Sequence, residues 1–144
     1  MNILWAMGLL AVVSLCLPAC DRELEVQQAY DFTLETMHVQ KDLRRGETVE
    51  IRCSLKRAGR FVGARYTLRY FQSEGRGMLR LDRGAVLKPN DRYPLVREEF
   101  RLYYTSQSAD RQTIDLYIED NFGKVRQLTF SFNHKKVQDK KEDG

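Results

Sequence analysis

The sequence predicts an all-β protein, an antiparallel sandwich of about seven strands. Three observations lead to this prediction. Apolar residues alternate with polar ones along most of the chain, turn-forming residues recur between these segments, and no segment keeps a period of 3.6 over ten residues. Alternation gives a strand one apolar face and one face to water. Because short strands of this kind cannot bury their apolar faces in one flat sheet, two sheets must pack against each other.

Four strands are predicted between residues 26 and 82. Residues 26–36 and 77–82 are the noisier candidates, whereas 49–55 and 65–71 alternate cleanly. Gly and charged residues separate the four segments, as expected for turns. The residues predicted to face the core are Tyr30, Phe32 and Leu34; Val49, Ile51, Cys53 and Leu55; Tyr66, Leu68 and Tyr70; and, in the fourth strand, the region of Met78 and Leu79.

Three further strands are predicted at 99–104, 114–119 and 128–132, and residues 120–123 join the last two as a tight hairpin. This turn, Asp120-Asn121-Phe122-Gly123, supplies Asn and Gly where a hairpin needs positive φ. Seven such strands in two sheets favour an immunoglobulin-like topology. The core-facing residues predicted here are Phe100, Leu102 and Tyr104; Ile114, Leu116 and Ile118; and Leu128, Phe130 and Phe132.

A lipoprotein signal peptide is predicted at the beginning of the chain. An uncharged apolar stretch from Ile3 ends at the cleavage box Leu17-Pro18-Ala19-Cys20, and charged residues follow from Asp21. Cleavage before Cys20 would let its thiol and new amino group carry acyl chains. Each buried CH₂ contributes about 0.8 kcal/mol, so several chains give lasting attachment to a membrane.

The alternative is an uncleaved membrane helix, since the apolar stretch approaches the roughly 18 residues that a membrane span needs. With cleavage, we expect four parts: a signal peptide at 1–19, a lipidated Cys20 and tether at 20–28, the sandwich at 29–133 and a charged, disordered tail at 134–144. Removing 19 of the 144 residues leaves 125, enough for one domain.

Charge and cysteine content exclude several classes of protein. The chain has 24 basic and 20 acidic residues, and because these are interspersed we expect no direct binding of nucleic acid. Once Cys20 is acylated, Cys53 is the one thiol that remains, so an intrachain disulfide is excluded. Cys53 alternates with apolar residues and is expected to be a small buried hydrophobe.

No catalytic, metal or cofactor site is predicted. The chain has two histidines, His38 and His134, which we expect to be exposed to solvent and without catalytic partners. The spacing of Cys, His and acidic residues suits neither zinc nor calcium, and no phosphate-binding loop is present. Asp115 and Glu119 share one strand face and are expected to be solvated. We therefore predict that the protein is not an enzyme.

The remaining candidate site is a surface formed by Arg65, Arg69, Phe71 and Tyr117. If Leu68 and its alternating neighbours point inward, these four residues point outward, and an immunoglobulin-like topology places their two strands side by side. Arginine and aromatic residues are enriched where interfaces have energetic anchors. The alternative is that they only make cross-strand pairs on an exposed sheet.

Several segments together resemble the TraQ-type lipoproteins of conjugative transposons. These are the cleavage box, Tyr30–Leu34, Gly46–Cys53, Arg65–Phe71 and Asp120–Gly123. The resemblance spans most of the mature chain and implies an immunoglobulin-like sandwich encoded in a DNA-transfer operon of Gram-negative gut anaerobes. It brings no catalytic residue with it.

The resulting hypothesis is a lipid-anchored envelope protein, attached to the inner or outer membrane, that docks to other conjugative-transfer proteins. The alternative is a surface adhesin or glycan-binding module, which is another common use of lipid-anchored sandwiches.

Overall fold

The computed structural model describes residues 30–60 and 62–135, and these form nine β-strands. The predicted signal peptide, the tether and most of the predicted tail lie outside the described residues. The strands are β1 (Phe32–Thr36), β2 (Asp42–Leu43), β3 (Thr48–Arg57), β4 (Tyr66–Glu74), β5 (Gly77–Leu81), β6 (Tyr93–Leu95), β7 (Glu99–Ser106), β8 (Gln112–Asp120) and β9 (Val125–His134).

The strands form two sheets in the immunoglobulin arrangement. The first sheet has the order β1-β3-β7-β5 and the second β2-β9-β8-β4-β6. Without the two shortest strands, β2 and β6, seven strands remain, which correspond in chain order to strands A to G of an immunoglobulin domain. The first sheet then has the order A-B-E-D, and the second contains strands C, F and G. This is the constant-type topology of immunoglobulin domains. The predicted fold class is confirmed.

The core lies between the sheets at the positions that the alternation predicts. Ile51 and Leu102 from the first sheet and Leu68 and Leu116 from the second are all 0% exposed. Two aromatic pairs contribute to the packing and stand at opposite ends of the sandwich. Phe32 meets Tyr66 edge to face, and Tyr104 stacks on Phe132, each pair with ring centroids 5.0 Å apart.

The two short strands were not predicted, and both lie at sheet edges. β2 pairs in parallel with the end of β9 over only two residues. β6 contains Pro94 and pairs with the beginning of β4. Since Pro has no N–H to donate, an edge is where a sheet tolerates it. Strands of two and three residues are too short to show a period of two.

The structure corrects the prediction for His134. It is the last residue of β9, half-buried and paired with Leu43 of β2, instead of a solvated residue of the tail. The main chain continues this pairing, because the N–H of Lys135 donates to the carbonyl of Leu43 at 2.9 Å. His38 is exposed, as predicted.

The hairpin between β8 and β9 forms as predicted, but the roles of its residues differ from those expected. Gly123 has the positive φ, +90°, and Asn121 does not. Asp120 closes the turn, because its Oδ1 accepts from the N–H groups of Phe122 (2.9 Å) and Lys124 (2.7 Å). The Asn121 amide instead binds the loop before β4, accepting from Arg65 N at 2.8 Å.

A buried glutamine fixes the connection between β7 and β8, at the end of the sandwich opposite the β8–β9 hairpin. Gln112, at the start of β8, is 0% exposed, and its Nε2 donates to Ser106 Oγ (2.6 Å) and to the carbonyl of Ser108 (3.1 Å). Its Oε1 accepts from the Tyr104 hydroxyl at 2.5 Å. Many immunoglobulin-like domains have a tyrosine at this place that binds back to the preceding main chain. Here Gln112 makes the corresponding bond and fixes the β7–β8 connection.

Candidate functional site

The candidate surface is the outer face of the second sheet, where β4 and β8 are neighbours. Their antiparallel register places Arg69 opposite Tyr117 and Phe71 opposite Asp115. These two facing pairs are half-buried, and their side chains occupy the alternate positions of each strand that point away from the core. The predicted adjacency of these two strands is therefore observed.

Arg69, Phe71 and Tyr117 form one cluster on this face. The Phe71 and Tyr117 rings meet edge to face, with centroids 5.6 Å apart and an interplanar angle of 86°. The guanidinium carbon of Arg69 lies 5.5 Å from the Phe71 centroid and 5.7 Å from that of Tyr117. These are the distances of cation–π contacts. The cation is thus attracted to two rings at once.

A carboxylate fixes the position of the cation. Arg69 Nη2 donates to Glu119 Oε1 at 2.8 Å, and Arg92 Nε donates to Glu119 Oε2 at 3.0 Å. The Glu119 side chain is only 15% exposed, so the prediction that it is solvated was wrong. Asp115, on the same face, accepts from Thr129 Oγ1 at 2.6 Å.

Sequence reasoning missed Glu119 and Arg92 as members of this site. The alternation could have indicated Glu119, because it lies two residues from Tyr117 and therefore on the same strand face. In the sheet it stands opposite Thr67, which lies two residues from Arg69 on the outer face. Arg92 lies before β6 in an irregular connection, where no periodicity predicts its direction.

Arg65 lies apart from the cluster. It is exposed, just before β4 begins, and its main chain is held by the hairpin. Arg65 N donates to Asn121 Oδ1 at 2.8 Å, and its carbonyl accepts from Asn121 N at 3.0 Å. Among the described residues its side chain forms no ion pair. Of the four predicted surface residues, the structure brings three together.

The outer face of the first sheet differs in character. It carries an open groove of about 670 Å³ lined largely by charged side chains, among them Arg52, Arg101 and Glu99. Arg52 and Arg101 both pair with Glu50, at 3.0 and 3.3 Å. No ring pair among the described residues lies on this face, so the aromatic cluster distinguishes the second sheet.

The family of TraQ conjugal transfer proteins matches residues 3–135 of the chain, nearly its whole length. The chain belongs to this family. The match confirms the resemblance drawn from the sequence segments and gives the protein a role in conjugative transfer.

Solved structures agree with membership of the TraQ family. A conjugative transposon lipoprotein from Bacteroides eggerthii is 48% identical, with a TM-score of 0.69 over 73% of this chain and 99% of that one. A lipoprotein from Bacteroides thetaiotaomicron is 53% identical, with a TM-score of 0.68 over 83% and 92%. A conjugate transposon protein from Bacteroides vulgatus is 52% identical, with a TM-score of 0.66 over 85% and 99%. No curated protein matches the chain.

Residues 30–60 and 62–135 of this TraQ-family protein contain no group of three or more His, Cys, Asp or Glu side chains placed to hold a metal ion. Cys53 is buried, and burial, aided by the charge of Asp82, raises the pKa of its thiol to about 12. The thiol faces the carbonyl of Ile51 at 3.7 Å. The same residues include no helix suited to spanning a membrane.

Proposed function

We propose that this protein is a lipid-anchored, non-enzymatic docking subunit of the conjugative DNA-transfer apparatus in the cell envelope. Membership of the TraQ family supports the role in transfer. The cleavage box at Cys20 and the lipoproteins among its relatives support the anchor. The observation that carries the docking role is the cluster of Arg69, Phe71 and Tyr117 on the outer face of the second sheet.

The cluster suits protein binding because it is ordered before a partner arrives. Glu119 holds Arg69, and Arg69 in turn lies against both rings. Fixing these side chains in the free protein reduces the conformational entropy that binding would cost, about 0.5–1.5 kcal/mol for each immobilised side chain. Aromatic rings and arginine are also the residues in which binding energy concentrates. A partner would cover the half-exposed rings.

Nothing in the arrangement favours catalysis as a second candidate. Within the described residues no ion pair joins either His38 or His134 to a carboxylate, and His134 Nδ1 has no hydrogen-bond partner. The sole thiol there is buried with a high pKa, which makes it a poor nucleophile. A contact surface is what the geometry of this face offers.

The test is the double variant Phe71→Ser, Tyr117→Ser in cells that carry the transfer operon. Losing two anchors worth about 1–2 kcal/mol each should lower conjugative transfer, or recovery of partner proteins, at least tenfold. Protein abundance and the thermal unfolding midpoint should remain near those of the wild type. The matched control is Met78→Ser, Tyr103→Ser, which removes an apolar and an aromatic side chain from the outer face of the first sheet.

Normal transfer by the Phe71 and Tyr117 variant at wild-type abundance would exclude this face as the interface. An equal loss in the control would mean that the second sheet has no special role. Affinity capture with the wild type that recovers no transfer protein would instead favour the adhesin hypothesis.

A further inference from the structure

The chain enters the sandwich among the loops of one end, which we call the tether end and define as residues 30–31, 57–60, 62–65, 96–98 and 120–126. Tyr30, the first described residue, lies so close to Gly59 that an added Cβ there would stand 2.5 Å from its ring. The N–H of Ala58 donates to the carbonyl of Asp31 at 2.8 Å. The segment from Cys20 therefore arrives directly beside these loops.

The tether end is basic. Its six basic side chains are Arg57, Arg60, Arg65, Arg97, Lys124 and Arg126, and its three acidic ones are Asp31, Glu98 and Asp120, a net charge of +3. Asp31 pairs with Lys124 and Arg126, and Glu98 pairs with Arg57. Within the described residues, the remaining arginines at positions 60, 65 and 97 form no ion pair, and all three are exposed.

Two apolar side chains protrude from the same end. Val62 is 106% exposed and Val96 is 88% exposed, the highest values among the large hydrophobic residues that the structure describes. A groove of about 290 Å³ lies between Arg65 and Arg97, and its walls include Ala64, Pro94 and Leu95. Cationic groups around exposed apolar tips are the composition with which proteins contact a lipid surface.

The opposite end of the sandwich also carries a net positive charge, but it has no exposed large apolar side chain among the described residues. We define this far end as residues 41–47, 74–76, 107–111 and 134–135, with six basic and four acidic side chains and a net charge of +2. None of the exposed large hydrophobic residues of the described chain lies in it. Charge alone hardly separates the two ends, so the apolar tips and the entry of the tether decide between them.

We propose that the tether end rests on the anionic phospholipid surface of the membrane that holds the anchor. The inference relies on the lipidation of Cys20 in the proposed function. Ten peptide units separate Cys20 from Tyr30 and reach at most about 35 Å, which keeps this end near the bilayer. The nine residues between them include three acidic and one basic side chain, so attraction must come from the sandwich. Val62 and Val96 then enter the headgroup region, and Arg60, Arg65 and Arg97 face lipid phosphates.

Tryptophan fluorescence tests the orientation. Trp5 is the one tryptophan of the sequence and lies in the predicted signal peptide, so a tryptophan introduced into the mature protein is a unique reporter. Lipidated Val62→Trp is reconstituted in vesicles with brominated acyl chains, either phosphatidylcholine alone or mixed with phosphatidylglycerol. We expect a blue shift and quenching in the anionic vesicles, both weakened at high salt. Gln107→Trp, exposed at the far end, is the matched control and should show neither.

The charge requirement is tested by adding Arg60→Gln, Arg65→Gln and Arg97→Gln to the reporter. Each basic residue near an anionic surface adds to the attraction, so the equilibrium constant for contact, obtained from the quenched fraction, should fall at least tenfold without these three. The control removes three basic residues from the far end with Arg44→Gln, Arg45→Gln and Arg111→Gln, and should leave quenching unchanged.

Equal quenching at positions 62 and 107, equal quenching in neutral and anionic vesicles, or full quenching without the three arginines would each overturn the proposal. The vesicles contain no transfer proteins, so a failure of the docking role does not affect this result. A failure of the anchor is detected separately, because the mass of the purified amino terminus shows whether acyl chains are present. An unacylated protein would overturn the inference together with its premise.

Discussion

Glu119 determines the shape of the candidate surface at the scale of single residues. It accepts hydrogen bonds from two arginines, one on β4 and one before β6, while its own side chain is largely shielded from water. The shared carboxylate orients Arg69 toward the rings. It also links the segment before the edge strand β6 to the central strands β4 and β8 of the sheet. Arg69 Nε is buried and has no acceptor within the described residues. A donor left without a partner costs free energy, which indicates that this side chain is not optimised for stability alone.

Cys53 gives a prediction about pH. Burial raises the pKa of its thiol to about 12, whereas an unfolded thiol has a pKa of about 8.5. Because the folded pKa is the higher one, the stabilisation is fully present below about pH 8.5 and is lost as pH rises from there toward about 12. The free energy of unfolding, from urea melts between pH 8 and pH 10, should therefore fall less steeply with pH for Cys53→Ala than for the wild type.

Thiol labelling supplies the independent check. In the folded protein Cys53 should not react with iodoacetamide at about pH 8, and it should react once urea unfolds the chain. Rapid labelling under native conditions would contradict the burial of this side chain.

At the scale of secondary-structure elements, the alternation predicts which face of each long strand is buried. Leu68 is 0% exposed, and its half-buried neighbour Thr67 faces away from the core, as predicted for β4. Truncating a core-facing leucine or isoleucine to Ala should cost about 2–5 kcal/mol of the roughly 5–15 kcal/mol that stabilise such a domain. Urea melts measure this loss. The four core substitutions are Ile51→Ala, Leu68→Ala, Leu102→Ala and Leu116→Ala.

Neighbours on the same strands that face away from the core serve as controls: Arg52 is exposed and Thr67 is half-buried. Arg52→Ala and Thr67→Ala should each cost less than about 1 kcal/mol, since surface substitutions remove little packing. If these controls lose as much as the core variants, the assignment of the strand faces is wrong.

The strands that sequence could not predict are those whose formation depends on distant partners. The seven longer strands carry their own pattern, but β2 and β6 exist because β9 and β4 offer free edges beside them. Gln112 shows the same limit within a predicted element. It lies at an even spacing from Ile114 and Leu116 on β8 and points inward with them. Its polar amide nevertheless predicts a surface residue, because the hydrogen bonds to Ser106 and Tyr104 that allow its burial are not evident from the sequence.

At the scale of the whole molecule, the lipid anchor is the prediction that other proposals depend on. Mass spectrometry of the wild-type amino terminus should find Cys20 as the first residue, with acyl chains. Cys20→Ser should give an unlipidated protein whose signal is uncleaved or cleaved inefficiently, because the thiol that is acylated is missing. A wild-type peptide that runs unmodified across Ala19-Cys20 would favour an uncleaved membrane helix instead.

The orientation of the strands has a consequence for how a partner arrives. β4 and β8 are antiparallel and both span the sandwich between the tether end and the far end, so their outer face is a side wall of the sandwich. At about 3.3 Å per residue, Tyr117 stands only about 10 Å along β8 from the hairpin at Asp120. If the tether end rests on the bilayer, a partner reaches this wall by moving sideways along the membrane, and a partner fixed in the same membrane searches two dimensions instead of three.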